Sequence, residues 1–147
     1  SSAKRERFFS MLHFCADIGV GRAEVNEIDE TNILSATFMA MERALQSLSI
    51  TVDIALVDGN QAPNLPCKVE TLVKGDSLSL SIAAASIVAK VHRDREMATL
   101  AKTFPEYGWE KNAGYGTKEH REALARIGVT PHHRKTFSPI AKIIAKI

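Results

Sequence analysis

Cysteine is scarce in this 147-residue sequence, with only Cys15 and Cys67 present. They stand far apart, with no C-x-x-C motif and no histidine at ligand spacing. That pattern argues against a zinc centre or a disulfide framework, and it leaves both thiols to be expected as small core residues. Long apolar runs are missing as well: no stretch reaches the roughly 18 residues that a membrane helix needs. The start carries neither a basic n-region nor an apolar h-region, so no secretion signal is read there and a soluble, cytoplasmic protein is expected. Internal repeats and low-complexity tracts are also absent. What remains is a chain with 45% hydrophobic residues, enough to bury the core of one domain spanning 1–147 but not of two.

The net charge of +2 hides an asymmetry. Glu24, Glu27, Asp29 and Glu30 form an acidic stretch, whereas Arg121, Arg126, Arg134, Lys135, Lys142 and Lys146 make the C-terminal part basic. A basic end suits a phosphate backbone, and it suits a solvated helix face equally well. Apolar residues at steps of three and four predict one long helix through "EVNEIDETNILSATFMAMERALQSL" and another through "SIAAASIVAKVHRDREMATLAKTF", ended by Pro105. Thr117 is placed to cap a helix "KEHREALARI" that Gly128 closes, and "SPIAKIIAKI" suits a last one. "FCADIGVGRAE" contains a short strand-like run. "VDIALVD" and "CKVETLVKG" read as strands, the first of them fully buried. The class is α/β.

Two of these apolar runs deliver an aspartate: Asp58 in "VDGN" and Asp76 in "VKGDS". Carboxylates are costly to desolvate, so both are either turn residues or ligands. Ten residues, Gly59 to Lys68, join the two runs and include Pro63 and Pro66. At about 3.3 Å per residue they can run back along a strand, so a parallel pair is possible, with a hairpin as the alternative. Parallel strands would bring both aspartates to one carboxyl edge, where open α/β sheets bind ligands. Converging carboxylates need a cation between them, and hard oxygen donors without Cys or His point to Mg²⁺ or Mn²⁺. A pair of such ions can drive phosphodiester hydrolysis, although two aspartates are too few to hold them.

At this point the motifs themselves carry a resemblance. "GRAEVNEIDETNIL", "ALVDGN", "LVKGDS", "SIAAASIVAKVHRD", "FPEYGW" and "GYGTKEHREAL", in that order, resemble bacterial ribonuclease HII, the type 2 ribonuclease H family, over nearly the whole chain. The resemblance implies a ribonuclease H-like fold with a mixed sheet flanked by helices. It also implies Mn²⁺- or Mg²⁺-dependent endonucleolytic cleavage of RNA in RNA–DNA hybrids, and incision at ribonucleotides embedded in DNA. Asp58 and Asp76 fall on two of the family's four catalytic carboxylates. Tyr115 falls on the tyrosine that stacks on the sugar at the RNA–DNA junction, and the complete enzyme is expected to be a monomer.

The sequence also departs from that family. Its members open with an Asp-Glu pair followed by Gly-Arg-Gly, on the first strand of a five-stranded sheet. "SSAKRERFF" instead resembles the helix after that region. The first two strands, half of the carboxylates and the junction-reading loop are therefore expected to be absent from this chain. As given, it is expected to be inactive alone and to associate with a partner chain or a further segment. "DIGVGRAE" matches the family's third strand, which leaves Asp17 without a catalytic role. Lys90 and Arg93, on the second long helix, can reach phosphate or stand solvated. Trp109 is expected to be buried. "HRD" at His92–Asp94 has no Asn at the kinase offset. His132 and His133 are adjacent and cannot share one helical face for a metal. Three function classes follow: the endoribonuclease, a non-catalytic nucleic-acid-binding fragment, and a small-molecule phosphohydrolase.

Overall fold

The computed structural model describes residues 1–145, so Lys146 of the basic tail lies outside the described residues. In chain order the elements are α1 (Ser2–Cys15), α2 (Val25–Glu30), α3 (Ile33–Gln46), β1 (Ile54–Asp58), β2 (Lys68–Leu72), α4 (Gly75–Leu78) and α5 (Leu80–Thr103). A 3-10 turn (Pro105–Tyr107) follows, then α6 (Trp109–Asn112), α7 (Lys118–Ile127) and α8 (Ser138–Ile144). They form two compact units, the first comprising Ser1–Ala23 with Ile33–Val91 and the second comprising Glu24–Asn32 with His92 onward.

In the first unit the sheet is a parallel pair. Ile54 lies opposite Lys68 and Asp58 opposite Leu72, which excludes the hairpin alternative. Among the described residues it has these two strands only, so it is parallel, not mixed. Nor is β1 fully buried: Val57 is, while Ile54 and Leu56, which point to the opposite face of the sheet, are exposed. Phe9 and Leu12 of α1 pack with Ile18 and with Ile87, Val88 and Val91 of α5 to form a small apolar cluster.

Residues 16–24 form no strand, contrary to expectation. A strand exists only by pairing, and β1 and β2 pair with each other alone. This segment is instead laid against α3. A Cβ built on Gly21 would stand 1.9 Å from the Ala40 carbonyl oxygen, and one on Gly19 would stand 2.0 Å from that of Ala44. Asp17 fastens the same segment by accepting bonds from the Ser49 N–H (2.8 Å) and hydroxyl (2.9 Å). Its role is therefore that of a structural clamp.

The predicted single helix over 24–48 is two helices. Glu24 and Glu27 make a reciprocal capping box that starts α2, and the Thr31 N–H and hydroxyl both donate to the Glu27 carbonyl and end it. Side-chain bonds to the backbone break the helix although the apolar spacing runs through. The other helices stand where the spacing puts them. The Thr117 hydroxyl accepts from the His120 N–H at the start of α7, and Gly128, at φ 82°, closes it. The cysteines are not core residues: Cys15 ends α1 and is exposed, and Cys67 is half-buried before β2.

The second unit has its own core of Met97, Ala101, Tyr107, Trp109, Ala123, Leu124 and Ile140. Trp109 is buried, as expected, and stacks on Tyr107 with ring centroids 5.1 Å apart. Asp29 of α2 ties down the segment before α8 by accepting from the N–H groups of Lys135 (2.8 Å) and Thr136 (3.1 Å) and from the Thr136 hydroxyl (2.6 Å). Burial pushes the Asp29 carboxyl up, but these bonds and the Lys135 charge outweigh it and hold it below the usual value.

The close approach of Gly21 to α3 yields a stability prediction. Gly21→Ala must displace helix backbone, not a flexible side-chain end, so it is expected to lower the unfolding free energy by about 1–3 kcal/mol. A urea midpoint equal to that of the parent chain would show that residues 19–21 do not lie on α3.

Candidate functional site

The parallel register places Asp58, the last residue of β1, opposite Leu72, the last residue of β2. Past Leu72 the chain leaves the sheet through Lys74, which adopts a left-handed conformation (φ 57°, ψ 40°), and enters α4 at Gly75. The turn brings the Gly75 N–H onto the Asp58 carboxylate at 2.8 Å. Asp76 is the next residue, so both aspartates stand at one carboxyl edge of the sheet, and both are exposed. Gly75 is closely packed: a Cβ there would come 2.6 Å from the Ile82 Cδ1, the end of a flexible side chain, and 3.4 Å from the bonded Asp58 oxygen. The other Asp58 oxygen has no hydrogen-bond partner among the described residues, and Asp76 has only a long contact from the Ser77 hydroxyl (3.5 Å). These are hard oxygen donors suited to a divalent cation. Among the described residues no group of three or more His, Cys, Asp or Glu side chains is disposed to hold one, so the pair offers only part of a coordination shell.

Tyr115 belongs to the second unit. It is 68% exposed, while its backbone is fixed: its N–H donates to the Asn112 carbonyl (2.8 Å), and its own carbonyl accepts from the Thr117 N–H (2.8 Å) and from His120 Nδ1 (3.0 Å). Buried Asn112 braces the approach, donating to the Tyr107 carbonyl (2.7 Å) and accepting from the Gly114 N–H (2.9 Å). Arg93 lies beside this loop. Its Nη2 is 3.5 Å from where a Gly114 Cβ would sit, and its Nη1 is 3.7 Å from Glu96. Lys90 stands on α5 within the first unit and is half-buried. Of the basic tail, Arg121, Arg126, Lys135 and Lys142 are exposed, and the Arg134 guanidinium covers the Phe137 ring at 4.7 Å.

Sequence reasoning missed His120. It is buried, and its Nε2 meets the Nε2 of buried His133 at 3.1 Å. His132 instead is exposed, so the two adjacent histidines do part, as their spacing implied. Burial, followed by the charge that His120 would carry, pushes the His133 imidazole down to about 4. No periodicity announces the pair, because 13 residues and a helix end separate its members.

The family described as Ribonuclease HII matches residues 3–140. The chain belongs to the ribonuclease HII family. The ribonuclease HII of Rhodospirillum rubrum is 59% identical over 150 residues, covering 99% of this chain and 68% of that protein. That of Paramagnetospirillum magneticum is 56% identical over 142 residues, covering 97% of this chain and 71% of the relative. The crystal structure of ribonuclease H2 from Pyrococcus horikoshii superposes with a TM-score of 0.80 at 25% identity, over 99% of this chain and 77% of that one. The α/β, ribonuclease H-like class expected from the motifs is thus the observed fold. None of the described helices is long and apolar enough to cross a membrane.

The histidine pair makes stability depend on pH in a definite window. The folded His133 pKa, about 4, lies below the ordinary value of 6.5, so between these values the unfolded chain binds more protons than the folded one. The contribution is complete above about pH 6.5 and declines as pH falls towards 4. Urea unfolding at pH 7.5 and pH 5 should show the drop, and His133→Asn should remove it. A His133 ring titrating near 6.5 by NMR would contradict the assignment.

Proposed function

We propose that this chain carries part of the catalytic centre of a metal-dependent endoribonuclease acting on RNA–DNA hybrids and on ribonucleotides embedded in DNA. The observation that carries the reading is the placement of Asp58 and Asp76 at one carboxyl edge, linked through the Gly75 N–H, in a member of the ribonuclease HII family. The cleavage leaves a 5′-phosphate and a 3′-hydroxyl. Asp58 and Asp76 are the residues that would hold Mg²⁺ or Mn²⁺. When bound, such ions supply an activated water and neutralise charge on the phosphodiester.

The chain's own contributions divide into two kinds. At the sheet edge, the Gly75 N–H fixes one oxygen of Asp58 and so orients its second oxygen, while Asp76 extends from the first turn of α4. In the second unit, exposed Tyr115 offers a ring face to a sugar or base, and Arg93 beside its loop offers a cation to phosphate. Lys90 is proposed as a further phosphate contact, and the exposed basic side chains of α7 and α8 as a source of affinity independent of sequence. Two carboxylates bind a divalent ion weakly, so the 147-residue chain by itself is expected to cleave poorly until further carboxylates complete the shell.

Asp76→Asn separates catalysis from binding. Mn²⁺-dependent hybrid cleavage, assayed with further carboxylates supplied by an added Asp-Glu-containing segment, should fall by more than the roughly 10–100-fold typical of losing an outer-shell partner, while hybrid affinity changes little. Parallel loss of both would assign Asp76 a folding role. Hybrid binding with no cleavage under any metal would favour a non-catalytic binding fragment, and turnover of a phosphate monoester would favour a phosphohydrolase.

Tyr115→Ala should weaken binding of a duplex containing one ribonucleotide by about 5- to 150-fold, since stacking is worth roughly 1–3 kcal/mol. An unchanged affinity in a fluorescence anisotropy titration would remove Tyr115 from the interface.

A further inference from the structure

The hydrogen bonds around His120 and His133 point to one arrangement of protons. The Thr130 N–H donates to His133 Nδ1 at 3.0 Å, and the Thr130 hydroxyl, which accepts from the His132 N–H, lies at the same distance; with Nδ1 as the acceptor, the proton of this ring sits on Nε2. The Tyr115 carbonyl can only accept, so His120 Nδ1, 3.0 Å away, carries the proton of its ring and Nε2 keeps the lone pair. At the 3.1 Å contact between the rings, His133 Nε2–H therefore donates to His120 Nε2. The bonds run in one direction, from the Thr130 backbone through both imidazoles to the Tyr115 backbone. Both rings are buried, at 4% and 7% exposure, under Tyr107 and Trp109, while the Tyr115 ring at the end of the series is 68% exposed.

An additional proton disturbs the series wherever it goes. On His120 Nε2 it would face the His133 Nε2–H, and on His133 Nδ1 it would face the Thr130 N–H, with only the Thr130 hydroxyl left to accept it. The titratable groups around the pair give no compensation. The Tyr107 hydroxyl is committed to the Gly128 carbonyl (2.8 Å), His132 adds like charge, and Glu119 and Arg121 flank His120 on α7 as exposed side chains. Arg134, next to His133, lies over Phe137, and no carboxylate is bonded to either imidazole among the described residues. The depressed His133 pKa agrees with a neutral His133 ring.

We propose that His120 and His133 are positioning residues, whose fixed-tautomer relay from the Thr130 backbone to the Tyr115 carbonyl holds the Gly114–Gly116 loop so that Tyr115 meets a ribonucleotide-containing strand. The loop needs such a hold. Gly114 has φ 84°, and Gly116 has open space around it, so neither glycine restricts the backbone by its own sterics. This proposal rests on the reading of Tyr115 given above, and the experiment separates the two.

Imidazole ¹⁵N NMR at pH 7.5 should show His120 protonated at Nδ1 and His133 at Nε2, with the relay opening as pH falls towards 4. Both Nε2 atoms found without protons, or spectra altered by a chelator, would overturn the relay in favour of an ion held between the rings. His133→Asn keeps an acceptor for Thr130 but loses the donor to His120. It should lower the preference for a one-ribonucleotide duplex over its all-DNA counterpart by roughly two- to tenfold, the equivalent of one net hydrogen bond. His133→Gln, whose amide reaches the Nε2 position, should restore most of it. If Tyr115→Ala lowers that preference and His133→Asn does not, the positioning role is wrong. If neither does, the Tyr115 reading fails, and the Tyr115 amide then decides the hold: faster hydrogen exchange in His133→Asn supports it, and unchanged exchange refutes it.

Discussion

The candidate site depends on one charge-assisted hydrogen bond, from the Gly75 N–H to the Asp58 carboxylate at 2.8 Å. It requires three things at once. β1 and β2 must run parallel so that their carboxyl ends coincide, Lys74 must turn left-handed to leave the sheet, and the N–H of residue 75 must face back towards the end of β1. With these met, a short turn carries Asp76 to the edge where Asp58 already stands. Bonds of an ionised acceptor to a backbone donor are stronger than neutral ones, and this one also takes up one lone-pair direction of Asp58, so the remaining oxygen has a defined orientation. The left-handed Lys74 is strain that a turn keeps only where its surroundings fix it.

The part of this arrangement legible in sequence was the part set by chain length and residue type. Pro63 and Pro66 in a ten-residue connection allowed an extended return path, and so a parallel pair with both aspartates at one edge beside the hairpin alternative. The helices of Lys118–Ile127 and Ser138–Ile144 were legible because their caps are local, with Thr117, Gly128 and Pro139 acting on their own neighbours. The division of α2 from α3 was not, because Thr31 and Glu27 end a helix through side-chain bonds while the apolar spacing continues unbroken. The strand expected over residues 16–24 failed for the opposite reason. Its composition suits a strand, but a strand is a property of two segments, and this one found the backbone of α3 in place of a ladder partner.

The burial of β1 shows the same limit. "IALVD" reads as a core strand, yet Ile54 and Leu56 are exposed, because apolar content records what a segment would bury given a neighbour and not whether the neighbour is there. Asp29 illustrates the converse. It sits in the acidic stretch that opens a predicted helix, while its carboxylate organises a loop more than a hundred residues away, accepting from Lys135 and Thr136.

The two histidines carry the argument furthest from the sequence. His132 and His133 are adjacent and chemically identical, and composition offers no ground to choose between them. The choice is made by the Thr130 N–H, which donates to the imidazole at position 133, and by the His120 Nε2 that this same ring meets on its other side. With the Thr130 N–H donating at one end and the Tyr115 carbonyl accepting at the other, the proposed relay sets the direction of the bonds between them. An exposed aromatic ring on a glycine-flanked loop would ordinarily pay for its mobility each time it docks. In the proposed relay, a loop held from behind by buried side chains is ordered before a nucleic-acid strand docks.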